Sequence, residues 1–370
     1  MNSRQRVLNA LNHKVPDRVP IDFGGFQSGI HKKAYLTLIN YLGIEDELNF
    51  LDPIQQLARP CEQLLERFRA DIRYISAKQF FAQDRHNKLN DEFGVPWTMQ
   101  NEYQNYMHVS YHPLAEASTK DIEAYSFPKS HDKSYFDGIR EKALKISDHA
   151  SYALCTDTGG SIFEPCCNLR GTEKWFIDTK EEPDFCEALL DKVLEYWLEF
   201  YSGFLKETGD IIDIVMIGDD LAGQNGPLFS LEFYRNALKP RQRKLVSHIK
   251  SFTNARICYH TCGSCYEFIP DLIDIGIDIL NPIQTGLKNM EPQKIKDEFG
   301  TKIALWGAAI DAQQLLLFSG PAQIKPHVRK NIEIFKSGGG YIFSNTHNIQ
   351  FDVPPENIVA LFDAAYEFGS

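Results

Sequence analysis

The stretch Tyr259-His260-Thr261-Cys262-Gly263-Ser264 carries the residue pair best suited to chemistry in this chain. On an extended segment, residues two apart project to one side, so His260 and Cys262 can reach a single ion. Imidazole nitrogen and thiolate sulfur are donors that zinc favours, and a catalytic zinc site uses three protein ligands and keeps one position open. His347 is the candidate third ligand, because it lies two residues beyond the end of the last strand-like run and neutral imidazole is a common zinc donor. Cys265 competes with it, three residues past Cys262 in what should already be a loop or helix start. The plain alternatives are a buried His/Cys pair without metal and a His347 that packs in the core or touches substrate.

Carboxylates and amides gather at comparable places. Thr156-Asp157-Thr158-Gly159-Gly160-Ser161-Ile162-Phe163-Glu164 sets Asp157 and Glu164 on either side of glycines that permit close backbone approach, the makings of a substrate wall or of an ordinary surface turn. In Ile217-Gly218-Asp219-Asp220, Asp219 is expected to point inward as a proton acceptor or as a group orienting a metal-bound histidine, with Asp220 beginning a loop. Asn281, Gln284 and Asn345 end other runs and are expected to contact substrate. Cys166 and Cys167 are adjacent, diverge on regular structure, and are expected to be structural.

These residues need a scaffold that gathers strand ends. Eight short β-branched and apolar runs recur: Arg18 to Asp22, Asp71 to Ser76, Tyr152 to Asp157, Ile211 to Asp219, Arg256 to Cys262, Asp278 to Ile283, Lys302 to Gly307 and Gly340 to Asn345. Between them lie amphipathic stretches such as Glu187 to Lys206, Ser230 to Phe252, Tyr266 to Ile275 and Ala322 to Lys336. The pattern predicts an α/β fold, a single (β/α)8 TIM barrel over residues 1–370, with active residues at the C-terminal strand ends. A doubly wound sheet is the competitor, but no Gly-x-Gly-x-x-Gly follows the first run. Phe80 to Lys145 breaks the alternation before the third strand. It reads as an insertion that either covers the barrel mouth or packs irregularly outside.

Composition excludes several classes. A formal net charge of −11 with no basic block opposes binding to nucleic acid. No run reaches the roughly 18 to 20 apolar residues of a membrane span and the N-terminus has no signal-like apolar core, so a cytoplasmic protein is expected. In such a chain the eight cysteines are expected as buried residues or ligands, not disulfides. Nothing requires homodimerisation, although the chain is compatible with it.

Several segments taken together resemble the uroporphyrinogen decarboxylase-like superfamily over nearly the whole chain. They are Ser3 to Asn12 with Pro16-Asp17-Arg18-Val19-Pro20, then Ile217 to Leu221, His260 to Ser264, and His347 to Gln350 with Asp352 to Ile358. The superfamily implies a (β/α)8 barrel and includes both decarboxylases and zinc methyltransferases that act with corrinoid proteins. Two departures count against the decarboxylase: Phe23 to Gly29 has no arginine to hold a porphyrinogen's carboxylates, and Ser76-Ala77-Lys78 stands where the decarboxylase aspartate belongs. The methyltransferases carry His-x-Cys, matched by His260 and Cys262, and a later cysteine in whose region His347 stands, as in relatives of the O-demethylase type. Gln284 lies near a position that is acidic in some relatives. The resemblance therefore implies zinc, a corrinoid carried by a partner protein, a small methoxylated or methylated donor, and Asp219 or Asp157 handling the leaving group's proton. The other readings are a metal-free decarboxylase and a ligand-binding barrel without turnover.

Overall fold

The computed structural model describes all residues except 78–81, 84–88, 100–104, 128–132 and 157–158. Seven parallel strands form one curved sheet: β1 (Ile72–Ile75), β2 (Ala153–Thr156), β3 (Ile214–Gly218), β4 (Arg256–His260), β5 (Ile279–Ile283), β6 (Ala304–Ala308) and β7 (Tyr341–Ser344), hydrogen-bonded in sequence order. Residues 20–22 close the ring. Phe343 N donates to Pro20 O at 2.9 Å and Asp22 N to Phe343 O at 2.8 Å, while on the other side Asp71 N donates to Ile21 O at 2.7 Å. All eight runs read from the sequence thus take their places around the barrel.

The closure is held by charge. Asp71, fully buried, accepts from Arg6 Nη1 at 2.7 Å, Arg18 Nη1 at 2.8 Å and Ile21 N at 2.9 Å. Arg6 also donates through Nε to Asp17 at 2.7 Å, and the guanidinium beside it holds the Asp17 carboxyl down at about 2. A buried carboxylate is tolerable only when donors saturate it in this way.

Strand alternation decides what faces the axis. Ile72, Ala153, Cys155, Ile214, Met216, Cys258, Ile279, Ala304, Trp306 and Ile342 pack in one interior cluster, closed from below by Val7 and Leu11 of α1 (Ser3–Leu11). The intervening residues, such as Val215, Ile217, Ile257, Tyr259 and Leu280, pack in the outer core, into which the helices also pack. These helices include α2 (Phe163–Arg170), α3 (Pro183–Thr208), α4 (Lys239–Lys250), α5 (Ile269–Asp274), α6 (Pro292–Phe299), α7 (Pro321–Phe335) and α8 (Pro355–Gly369).

Between β1 and β2 the insertion forms a small antiparallel sheet of four strands, Ala82–Gln83, Leu89–Asn90, Pro96–Thr98 and His108–Val109, followed by a short helix Thr119–Ala124. Asp91, Glu92, Phe93, Trp97, Tyr106 and Met107 of this segment line the cavity at the barrel mouth. Of the two sequence expectations for the insertion, covering the mouth is the one realised. Among the described residues no helix is long and apolar enough to cross a membrane. All eight cysteines are free thiols; six are buried, leaving Cys61 and Cys262 with partial exposure.

Candidate active site

Adjacent strand ends build the site. Gly218 of β3 pairs with His260 of β4, which pairs with Asn281 of β5. Met216, Cys258 and Ile279 face the axis, so two residues on, Gly218, His260 and Asn281 form the next inward layer. At residue 218 a Cβ would lie 2.2 Å from the His260 carbonyl oxygen, so only glycine lets the strand ends approach. Past Cys262 the chain turns at Gly263, whose φ of +88° favours glycine and where a Cβ would meet the Ala222 carbonyl oxygen at 2.3 Å.

On this frame His260 Nε2 and Cys262 Sγ lie 3.4 Å apart, and Asp220 Oδ1 accepts from Cys262 N at 2.7 Å. Ligand atoms of Asp220, His260 and Cys262 all fall within 4.8 Å of one another. Asn281 Oδ1 is 2.6 Å from His260 Nδ1; with the amide oxygen as acceptor, Nδ1 carries the proton and the Nε2 lone pair faces the group. Burial lowers the His260 pKa and keeps the ring neutral, as a metal ligand must be. Burial, then Asp220 and Glu164, pushes the Cys262 thiol well up, so the thiolate that a metal needs would form only with a cation there to stabilise it. One oxygen, one nitrogen and one sulfur donor fit zinc, with room for a fourth ligand from the cavity.

His347 lines the same cavity but its ring is outside that close group; its Nδ1 sits 3.2 Å from the Asn348 carbonyl oxygen and 3.4 Å from Gln350 Nε2. The residue brought to the pair is thus Asp220, expected from the sequence only to begin a loop. Asp219 does not line the cavity; buried, it accepts from Ile162 N, Phe163 N and Glu164 N at 2.9, 2.8 and 3.0 Å, capping α2 from the end of the neighbouring strand. The competitor Cys265 is buried and outside the group.

The remaining amides expected at substrate act as supports. Asn281 holds His260, Gln284 Oε1 accepts from Gly263 N at 2.8 Å, and Asn345, fully buried, donates to the His347 carbonyl at 2.9 Å; none of the three lines the cavity. Glu164 does line it. Asp157 falls outside the described residues.

Ser161 links two carboxylates. Its hydroxyl contacts Asp219 and also Glu164 Oε2 at 3.0 Å, but one hydroxyl proton can serve only one of them. Asp219 has three backbone donors and is the better anion. Glu164, pushed up to about 8 by burial and then by Asp220 and Asp219, is the weaker acid of the two and faces the cavity.

The cavity encloses about 490 Å3 and reaches from the donor group to the insertion. Its described lining holds five carboxylates, Asp52, Asp91, Glu92, Glu164 and Asp220, and no lysine or arginine.

Residues 108–368 match the family model for uroporphyrinogen decarboxylase (URO-D). The chain belongs to the uroporphyrinogen decarboxylase family. Two curated members bearing that name, from Ruthia magnifica and Vesicomyosocius okutanii, are 28% and 25% identical to it, over 54% and 67% of this chain and 55% and 69% of their own lengths. The aligned segment thus spans only about half of the first of these relatives. A methyltransferase from Methanosarcina mazei superposes over 100% of both chains with a TM-score of 0.70 at 19% identity, a likeness of fold. Family and fold agree with the barrel expected from the sequence.

Three features are not legible in the sequence: Asp220 as a member of the donor group, the Ser161 contact that links Glu164 to Asp219, and the aromatic residues that the insertion brings to the cavity. The aromatic density of Asp91 to Trp97 was its one available signal.

Proposed function

We propose that this protein is a zinc-dependent methyltransferase that moves a methyl group from a small methoxylated or methylated compound to a corrinoid carried by a partner protein. The observation that carries this reading is the Asp220/His260/Cys262 group opening onto an acidic, aromatic cavity. Zinc bound there would serve as a Lewis acid on the leaving heteroatom, and a donor set with a single thiolate suits that role better than an electron-rich all-sulfur one.

The chain's own residues supply the rest. Asn281 fixes the His260 tautomer, Asp220 fixes the Cys262 backbone, and Glu164 delivers a proton to the leaving oxygen, nitrogen or sulfur as the bond to methyl breaks. Glu164, which lines the cavity, takes this part in place of Asp219, whose carboxylate is turned to the start of α2. The insertion and α3 exclude water and confine the donor.

The decarboxylase reading fits this cavity poorly. A porphyrinogen carries many carboxylates, and the described lining, which holds acidic side chains and no lysine or arginine, offers them no counter-charge. The test is to incubate the zinc-loaded protein with reduced cobalamin and a panel of methylated donors and to follow methylcobalamin by its absorption. Donor-dependent methylcobalamin, absent in Cys262→Ala, supports the reading; its absence together with turnover of uroporphyrinogen would replace it.

A further inference from the structure

Part of the cavity wall, made of residues other than the metal donors, is aromatic. Phe93 of the insertion meets Tyr196 at a centroid distance of 4.9 Å, Tyr196 meets Trp197 at 4.9 Å, and Trp197 meets Phe200 at 5.6 Å. All four rings line the cavity, as does Trp97. Two anchors fix the indoles: Trp197 Nε1 donates to the Ser161 carbonyl at 2.6 Å and Trp97 Nε1 to Asp91 Oδ2 at 2.9 Å. A rigid group of electron-rich faces attracts a cation whose charge is spread over carbon, such as a methylated ammonium.

The charges point the same way. Asp91 is already satisfied, since its Oδ1 accepts from Phe93 N and Val95 N, both at 2.9 Å. Glu92, beside it on the cavity wall, has no side-chain partner among the described residues and meets only its own backbone N–H. A half-buried carboxylate without a partner is costly, and Asp91 and Asp52 face it without relieving it. The basic residues Arg59 and Lys142 line a neighbouring recess, not this wall.

We propose that the substrate of this cavity bears a cationic ammonium head, held against Phe93, Trp97, Tyr196, Trp197 and Phe200 with Glu92 as its counter-ion. As a statement about the methyl donor this rests on the function proposed above; as a statement about the cavity it stands on the wall alone. The head lies on a different set of residues from Asp220, His260 and Cys262, so the rest of the molecule is free to extend toward them.

The test is calorimetric titration of the unaltered chain with choline, with 3,3-dimethyl-1-butanol, its uncharged carbon analogue, and with 3,4-dimethoxybenzoate. Choline should bind at least ~10-fold more tightly than the uncharged analogue, and dimethoxybenzoate more weakly still. Choline should bind chelator-treated protein as well as zinc-loaded protein, so a failed metal site leaves this result standing. Glu92→Gln and Trp97→Leu, checked for an unchanged melting profile, should each weaken choline binding by about 10-fold. No choline binding, equal binding of the uncharged analogue, tighter binding of dimethoxybenzoate, or undiminished affinity in Glu92→Gln would overturn the proposal.

Discussion

Asn281 Oδ1 lies 2.6 Å from His260 Nδ1, and this one contact from the neighbouring strand decides which ring nitrogen of His260 is free to bind a metal. Replacing Asn281 by Ala leaves every proposed ligand in place but releases the tautomer and the ring's orientation. Zinc affinity should fall by roughly 10–100-fold, the usual effect of losing such a partner. Competition with a chromophoric chelator measures this, and an unchanged affinity would mean that Asn281 only fills space.

Asp219 and Asp220 are neighbours with different work. Asp219→Ala strips acceptors from three backbone N–H groups at the start of α2 and should cost about 2 kcal/mol or more, read as a lower denaturation midpoint at unchanged slope. Asp219→Asn, which keeps an acceptor, should cost less and retain zinc. Asp220→Asn should do the reverse, sparing stability and losing zinc.

The barrel closure predicts a larger effect. Asp71→Ala leaves Arg6 and Arg18 without their buried counter-charge at the point where residues 20–22 join β7 to β1. Breaking a buried pair from one side costs roughly 3–5 kcal/mol, enough to threaten folding at growth temperature. Chemical denaturation of the variant beside the native chain checks it.

Much of this was legible in advance for a physical reason. A parallel barrel buries its strands on both sides, so each of the eight runs reads as a short apolar segment, and topology then carries every strand end to one face. The His-x-Cys pair was visible because alternation needs only a strand. Asp220 was not, since past Gly218 the chain leaves the strand and alternation no longer says which of two successive aspartates turns inward. Asn281 was visible as a strand-end amide, but its partner was not, because the Gly218, His260 and Asn281 alignment is a matter of register between strands. Glu164 depended on a shared hydroxyl contact between residues 58 apart, Ser161 and Asp219, which no local pattern encodes.

The cation wall has a pH signature. Burial, then Asp91 and Asp52, pushes the Glu92 carboxyl up to about 7, with Tyr196 on its other side. A raised carboxyl is protonated below that value and cannot pair with an ammonium there. Choline affinity should therefore rise as pH is raised through about 7, with proton release on binding below it. Titration at several pH values in buffers of different ionisation heat measures both, and Glu92→Gln should abolish this dependence. A flat profile in the native chain would separate Glu92 from binding.

The most direct test is the zinc-edge X-ray absorption spectrum of protein purified without added metal and quantified by elemental analysis. The account predicts about one zinc per chain with one sulfur scatterer near 2.3 Å and nitrogen or oxygen near 2.0–2.2 Å, the sulfur shell vanishing in Cys262→Ser. Folded protein without stoichiometric zinc, or zinc with no sulfur neighbour, would contradict it.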